Sequence, residues 1–313
     1  MLRAKFAGAF ALMALLLVVM AALAGSAPTA SPVGPIARIL DSLTPWMLAL
    51  SLCFSLLAFG FGARWFAGAL ATLSLAIGGW GYLEHRRLSL PALPDAQIDT
   101  RVMFFNVFYE NRAFSDRIVT EILAHEPDVV VIAEAEAMQP SLGRLRENFA
   151  FVSECTNDNC ELIIASKTVP IRSWKLRLNP VWQERYAVAE LRASDGRPYF
   201  LSVAHLAKPW LSGVAEPELA RVGAQFDWLP GPAVVVGDFN AAPWSLPIRE
   251  LLHQTRFKGL RWPLGTWPAR FGRFGVPIDQ VLVHEGARVV SIAPVGAGLN
   301  SNHRGFVVDI ALP

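Results

Sequence analysis

The first 98 residues have very little charge. They hold six of the 28 Lys and Arg side chains and three of the 26 Asp and Glu side chains, which leaves 22 and 23 for the other 215 residues. An ordinary soluble surface is excluded for that segment. Cysteine is also scarce, with three in 313 residues, so the fold is not a disulfide-stapled miniprotein. The chain has no internal repeat and no low-complexity tract, which excludes solenoids and collagen-like structures. Apolar residues, in contrast, make up 53% of the chain, and the mean hydropathy is +0.36, so disorder is excluded. The pI near 8.5 reflects a surplus of three positive charges in the first 98 residues against a deficit of one in the rest. A broadly basic nucleic-acid surface on the polar part is therefore excluded.

The charge-poor segment contains three uncharged stretches, Phe6 to Ala37, Ser42 to Ala63 and Trp65 to Leu83. A bilayer core takes about 20 apolar helical residues. The spacing predicts three transmembrane helices, at about 6–25, 44–63 and 65–83, within a membrane region of 1–98. The Gly, Ser and Pro residues from Gly25 to Pro35 predict a loop outside the lipid, and Gly60 to Arg64 predict a tight hairpin turn pinned by Arg64 and Trp65. Lys and Arg are balanced three to three across the ends, so charge does not orient the spans. If the N-terminus is inside, three spans place the polar part outside the cytoplasm. If Met1 to about Ala27 is instead a cleaved signal peptide, the two remaining spans lead to the same side. Cys155 and Cys160 bracket the tetrapeptide at 156–159; a disulfide between them fits an oxidising compartment, and one such pair without a nearby His does not make a zinc site.

From Asp99 onward, β-rich runs alternate with turns. Strands are predicted at Val102–Val107, Asp128–Ala133, Glu161–Ser166, Tyr186–Leu191, Tyr199–Ala204, Ala233–Gly237, Ile278–Val283, Ala287–Ile292 and Phe306–Ala311. Ser115 is expected to cap a helix running to about His125, and Glu216 to Trp228 reads as another. Many strands with few helices imply two sheets packed face to face and flanked by helices. Polar groups stand at the strand ends: Asn106, Glu134, His205, Asp238 with Asn240, Asp279 and His303. Any one of them is an ordinary turn residue. Their succession points to a site.

With these residues the chain resembles the endonuclease/exonuclease/phosphatase family, of DNase I-like fold, over about residues 100 to 313. The most specific piece is Gly237-Asp238-Phe239-Asn240-Ala241-Ala242-Pro243-Trp244-Ser245, accompanied in order by Asn106, Pro127-Asp128 leading to Glu134, His205-Leu206, Ile278-Asp279 and Ser301-Asn302-His303-Arg304. The resemblance implies an α/β fold, a four-layer β-sandwich flanked by helices, forming a catalytic domain of 99–313 behind the three spans. It also implies Mg²⁺, with Mn²⁺ as an alternative, held by Asn106 and Glu134, with the Asn302 amide oxygen as a further, uncharged ligand. Glu136 competes with Glu134 for that role. Asp238 would orient and deprotonate water, Asn240 would donate to a phosphoryl oxygen, Asp279 would fix the tautomer of His303, and His205 would stand on the leaving-group side. Asn302 replaces the family's usual Asp near the metal, and Gln280 stands where many relatives have His.

The expected function is a membrane-anchored, Mg²⁺-dependent phosphoesterase, most plausibly a phosphodiesterase, acting on a nucleic-acid or phospholipid-type substrate. Its partners would be the lipid bilayer and that substrate, and its site the outer face of a bacterial inner membrane. The alternative, supported by Asn302 and Gln280, is a catalytically weakened membrane scaffold. His85, His125, His253 and His284 match no motif and read as structural. Trp210, Trp244, Trp262 and Trp267, with Arg270 and Arg273, form either a substrate rim or anchors near the bilayer.

Overall fold

The computed structural model describes all residues except Met1, Thr29, Ala30, 156–159, Val181, Gln183, Ser212 and Asp227. The tetrapeptide between the two cysteines therefore lies outside the described residues. Cys155 and Cys160 themselves are disulfide-bonded, with Cα atoms 5.1 Å apart.

Four helices come first: α1 (Leu2–Leu23), α2 (Gly34–Ser42), α3 (Thr44–Phe61) and α4 (Arg64–Arg87). Three segments, Leu2–Ser26, Thr44–Phe61 and Arg64–Arg87, are long and apolar enough to cross a membrane. Gly62, at φ +113°, closes the turn between α3 and α4, a conformation that glycine adopts without a Cβ penalty. Arg3 donates to the carbonyls of Gly60 and Phe61, so the start of α1 lies at the same end as this turn. Where these helices touch, alanine and serine fill the seam: Ser51 donates to the Ala14 carbonyl at 2.9 Å, and its hydroxyl lies 2.9 Å from that of Ser74. The short α2 was not expected. Its nine residues include Arg38 and Asp41, which fall between the charge-free runs that define the spans. Pro35 stands in its first turn, where a missing N–H costs nothing.

Thirteen strands are described: β1 (Ser89–Leu90), β2 (Thr100–Asn106), β3 (Val129–Ala133), β4 (Phe151–Val152), β5 (Leu162–Ser166), β6 (Arg172–Leu176), β7 (Tyr186–Arg192), β8 (Pro198–His205), β9 (Ala233–Asp238), β10 (Lys258–Leu260), β11 (Asp279–His284), β12 (Arg288–Val295) and β13 (Gly305–Ala311). They form two mixed sheets, in the orders β1-β10-β11-β9-β8-β7-β6 and β12-β13-β2-β3-β5-β4. All nine predicted strands are present; the additional β1, β4, β6 and β10 are two to five residues long and lie at or near the sheet edges.

Parity along the continuous apolar strands builds the layers, because successive side chains point to opposite faces. In β2, Val102 and Phe104 face the other sheet, where they meet Val203, Val234 and Val236. Met103 and Phe105 point outward and are covered by Ile118, Val119 and Ile122 of α5 (Ser115–Ala124) and by Leu145 of α6 (Leu142–Asn148). The opposite outer face is covered by Val222 and Phe226 of α7 (Ala215–Phe226) and by Ile248, Leu251 and Leu252 of α8 (Leu246–Gln254). Helix, sheet, sheet and helix make the four layers. Ser115 does not cap α5. A 3₁₀ turn at Arg112–Phe114 leads into the helix, so Ser115 is already its first residue, and its hydroxyl accepts from Ser141 at 2.9 Å.

Helix α2 ties the apolar helices to the sandwich. The Asp41 carboxylate accepts from Leu246 N–H at 2.7 Å, the Ser42 hydroxyl from Ala242 N–H at 3.1 Å, and the Ser42 carbonyl from the Trp244 indole at 3.0 Å.

Candidate active site

The strand ends converge at one edge of the sandwich. In the first sheet, His205 at the end of β8 and Asp279 at the start of β11 both pair in register with Asp238 at the end of β9. In the second sheet, Asn106 ends β2 opposite Ala133, and Glu134 follows directly. Sheet register alone therefore places His205 and Asp279, distant in sequence, on either side of Asp238. Gly237 permits this close pairing, because a Cβ there would lie 2.0 Å from the Ala204 carbonyl oxygen.

Asn106 bridges the two sheets at the site. The Asn106 amide nitrogen donates to Asp238 at 3.1 Å and to Glu134 at 3.2 Å, while its oxygen accepts from Phe108 N–H at 3.1 Å. The other oxygen of Glu134 accepts from Tyr109 N–H at 2.9 Å. Ser301 donates to the Asn106 carbonyl and accepts from His303 N–H, which ties the last loop to β2.

His303 Nδ1 lies 2.9 Å from one oxygen of Asp279 and 3.2 Å from the other, and its Nε2 is 3.8 Å from Asp238. Burial disfavours its charge, but Asp279 and then Asp238 outweigh burial and push the imidazole up to about 9. At neutral pH both ring nitrogens therefore carry protons, and Nε2 is a charged donor. Asp238 is pushed above the ordinary carboxylate range, first by burial and then by the charge of Asp279. One oxygen of Asp238 accepts from Asn240 N–H at 2.8 Å, and the Asn240 amide donates to the Leu206 carbonyl at 2.9 Å. Atoms of Asp238, Asp279 and His303 lie within 4.8 Å of one another, a spacing that a metal could use.

His205 stands on the other side of Asp238. Its Nε2 is buried without a hydrogen-bond partner, 3.8 Å from Asp238 and 3.9 Å from Glu134. Its Nδ1 lies 3.1 Å from Glu161, a carboxylate not anticipated from the sequence. Burial raises Glu161, but the hydrogen bond and charge of His205 prevail and hold it below its ordinary value. Arg185 lies 3.7 Å from the same carboxylate. Glu161 follows Cys160 and immediately precedes β5, a strand-end position like that of Glu134, and that position was the available signal. From His205 and Glu134 a cavity of about 330 Å³ extends to Trp182, Arg185 and Lys208.

Two expected residues are held differently. The strand ends at Ala133, Glu134 turns the chain at φ +52°, and Glu136 falls in a 3₁₀ helix. The two glutamates therefore do not share a strand face, although both line that cavity, and Glu136 pairs with Arg112 at 3.4 Å. Asn302 is exposed; its backbone carbonyl accepts from Ala269 N–H, and among the described residues its side chain makes no hydrogen bond. Gln280 donates to the Ala241 carbonyl at 2.6 Å and so supports the loop after Asp238.

The aromatic residues divide. Trp244 packs on Trp46 of α3 at 5.7 Å, and Trp262 on Tyr82 of α4 at 6.4 Å, both at the junction with the apolar helices. Trp210, beneath Lys208, lies next to the cavity wall, whereas Arg270 and Arg273 sit over Phe271 and Phe274. The four remaining histidines have structural contacts: His85 with the Arg261 carbonyl, His125 with Glu121, His253 with Glu84 and His284 with Phe257.

Residues 103–303 match the sequence model of the Endonuclease/Exonuclease/phosphatase family. No curated protein matches the chain. Among solved structures, the chain is similar to TDP2 of D. rerio complexed with a single-strand DNA product, at 16% identity and TM-score 0.57, covering 68% of this chain and 98% of that one. It is also similar to an endonuclease/exonuclease/phosphatase from Bacteroides vulgatus, at 18% identity and TM-score 0.54, covering 69% and 100%. Sphingomyelinase C from Streptomyces griseocarneus aligns at 14% identity and TM-score 0.51, covering 67% and 98%. At these identities the three structures speak to the fold.

Proposed function

Because this chain belongs to the endonuclease/exonuclease/phosphatase family of phosphoester hydrolases, we propose that it is a membrane-anchored, Mg²⁺-dependent phosphodiesterase acting on a nucleic-acid or phospholipid-type substrate. The observation that carries this reading is a buried Asp238 set between two histidine Nε2 atoms, each 3.8 Å away, and joined through Asn106 to Glu134. A scaffold has no need of buried carboxylates and an unpartnered imidazole nitrogen, which cost stability unless they are used.

The donor set fits a hard cation. Glu134 would hold it together with Asn106, whose amide must turn so that its oxygen faces the carboxylates, and Asn302 would stand by without formal charge. Bound there, Mg²⁺ would neutralise a phosphate oxygen as two negative reactants meet. Asp238, its proton affinity raised by burial, accepts the proton of the attacking water. His303 donates from Nε2 to a phosphoryl oxygen, and Asp279 keeps the ring charged and oriented. Asn240 has a second amide N–H for the same group. His205 faces the leaving oxygen with its free nitrogen, steadied by Glu161.

We further read the chain as a multi-pass protein of a bacterial inner membrane with its catalytic part, 99–313, outside the cytoplasm. The three long apolar helices and the disulfide support this reading. A topology reporter fused after Pro313 checks the side.

The decisive experiment is hydrolysis of a generic phosphodiester by the full chain, with and without Mg²⁺. Activity should require the metal, and Asp238→Ala or His303→Ala should each lower the rate on the order of 10²-fold or more while the protein stays folded. Full activity in either variant would refute the assigned roles, and no turnover on any phosphoester would favour the scaffold.

A further inference from the structure

Where the apolar helices meet the sandwich, residues of both surround a cavity of about 540 Å³, within the range of about 300–1,000 Å³ usual for small-ligand sites. One wall comes from all three spans, through Ala21, Leu48 and Ile77. Glycines of α4 keep it open: a Cβ at Gly81 would meet nothing within 4 Å, and one at Gly78 would meet only Leu48, at 3.6 Å. The facing wall carries Arg249 and Arg261 from the sandwich.

Both guanidinium groups have their Nε buried without a hydrogen-bond partner. Arg261 also donates to the Ser89 carbonyl at 3.0 Å and the Arg86 carbonyl at 3.3 Å, whereas Arg249 makes no side-chain hydrogen bond among the described residues and meets Asp41 only through charge. Asp41 is the one acid in this lining, and it already accepts from Leu246 N–H, so two cations face one carboxylate. A buried cationic donor without an acceptor is costly, and a phosphate oxygen satisfies Arg well. The cavity lies at the ends of the spans beside the exposed Trp80 and Trp262, at the level where aromatic side chains border a bilayer.

We propose that this cavity binds one anionic phospholipid, with its phosphate against Arg249 and Arg261 and an acyl chain between Ala21, Leu48 and Ile77. The proposal rests on the three helices spanning a bilayer and not on the chemistry at Asp238. Such a lipid would bear on the catalytic loop, because Trp244 and Leu246, six and eight residues after Asp238, line the same cavity. It would act as mortar in the junction that α2 begins.

The test uses the full chain reconstituted in bilayers of equal phosphatidylglycerol and phosphatidylcholine, extracted in mild detergent and weighed by native mass spectrometry. Wild type should keep one phosphatidylglycerol in preference to phosphatidylcholine. Arg249→Gln should lower that preference about fivefold, the weight of one Arg near an anionic lipid. Gly81→Leu, which fills the apolar end, should lose the retained lipid altogether. Equal retention of the two lipids by wild type, or unchanged retention in both variants, would overturn the site. Recovery of the chain in the soluble fraction without detergent would overturn the membrane reading itself, and phosphodiester hydrolysis by the same preparation reports on the active site separately.

Discussion

In the apolar helices the large side chains point away from the protein, with Leu56 70% and Trp65 95% exposed, while alanine and serine fill the seams between helices. In the sandwich the arrangement is reversed: Phe104, Phe105 and Phe306 are fully buried, and the polar groups gather at the strand ends. The proposed bilayer accounts for the difference. Lipid tails as apolar as leucine would leave the helices to gain from close backbone approach, whereas water drives the sandwich to bury every large apolar face. Polar groups buried in the helices are few: Ser51 and Ser74 meet each other, while Asp41, Ser42 and His85 reach backbone groups of the sandwich. Those buried at the sandwich edge are many and incompletely paired, and that incompleteness marks the site.

The contrast can be broken most severely at Gly237. Replacing it with Ala would drive a Cβ into the Ala204 carbonyl between β8 and β9. A loss of about 3 kcal/mol or more in the sandwich is expected, with membrane insertion of the helices unchanged. Thermal melting together with membrane fractionation checks both halves of this expectation.

A second effect is electrostatic and confined to the sandwich. The folded state raises His303 to about 9 from an ordinary value of 6.5, so its protonated form is the stabilised one. In chelator-treated protein this contribution should be complete below about pH 6.5, decline between 6.5 and 9, and be gone above about 9. Melting temperatures of wild type and His303→Gln should therefore differ in their pH dependence across that window. Parallel curves would remove the Asp279–His303 pair as its source.

Restoring a carboxylate at the edge should sharpen the contrast modestly. Asn302→Asp adds one negative charge in the loop that carries His303, so the Mg²⁺ concentration for half-maximal rate should fall. A titration with an unchanged midpoint at full activity would show that position 302 does not tune the metal. The smallest effect belongs to the helices. Ser51→Ala removes the bond to the Ala14 carbonyl and should cost only about 0.6 kcal/mol, as is usual for polar contacts between spans. Unfolding of the helices in detergent measures it.

Each part of the chain was legible in its own terms. Charge-free runs revealed the three long apolar helices, and strand-end Asn106, Glu134, His205, Asp238, Asp279 and His303 were visible because polar residues interrupt apolar runs. Helix α2 escaped because nine residues make too short a window, and β1, β4, β6 and β10 because two to five residues carry no period. Glu161 was passed over because nothing in its neighbourhood indicates His205, 44 positions later. The local sequence by itself determined which stretches prefer lipid, which form strands and which residue types stand at strand ends, since these depend on hydropathy and periodicity over a few neighbours. Only the tertiary structure decided that His205 and Asp279 flank Asp238, that Asn106 links the two sheets, that Glu136 pairs with Arg112, and that Trp244 and Trp262 meet the apolar helices. Those outcomes depend on sheet register and layer packing between distant segments, which no local pattern encodes.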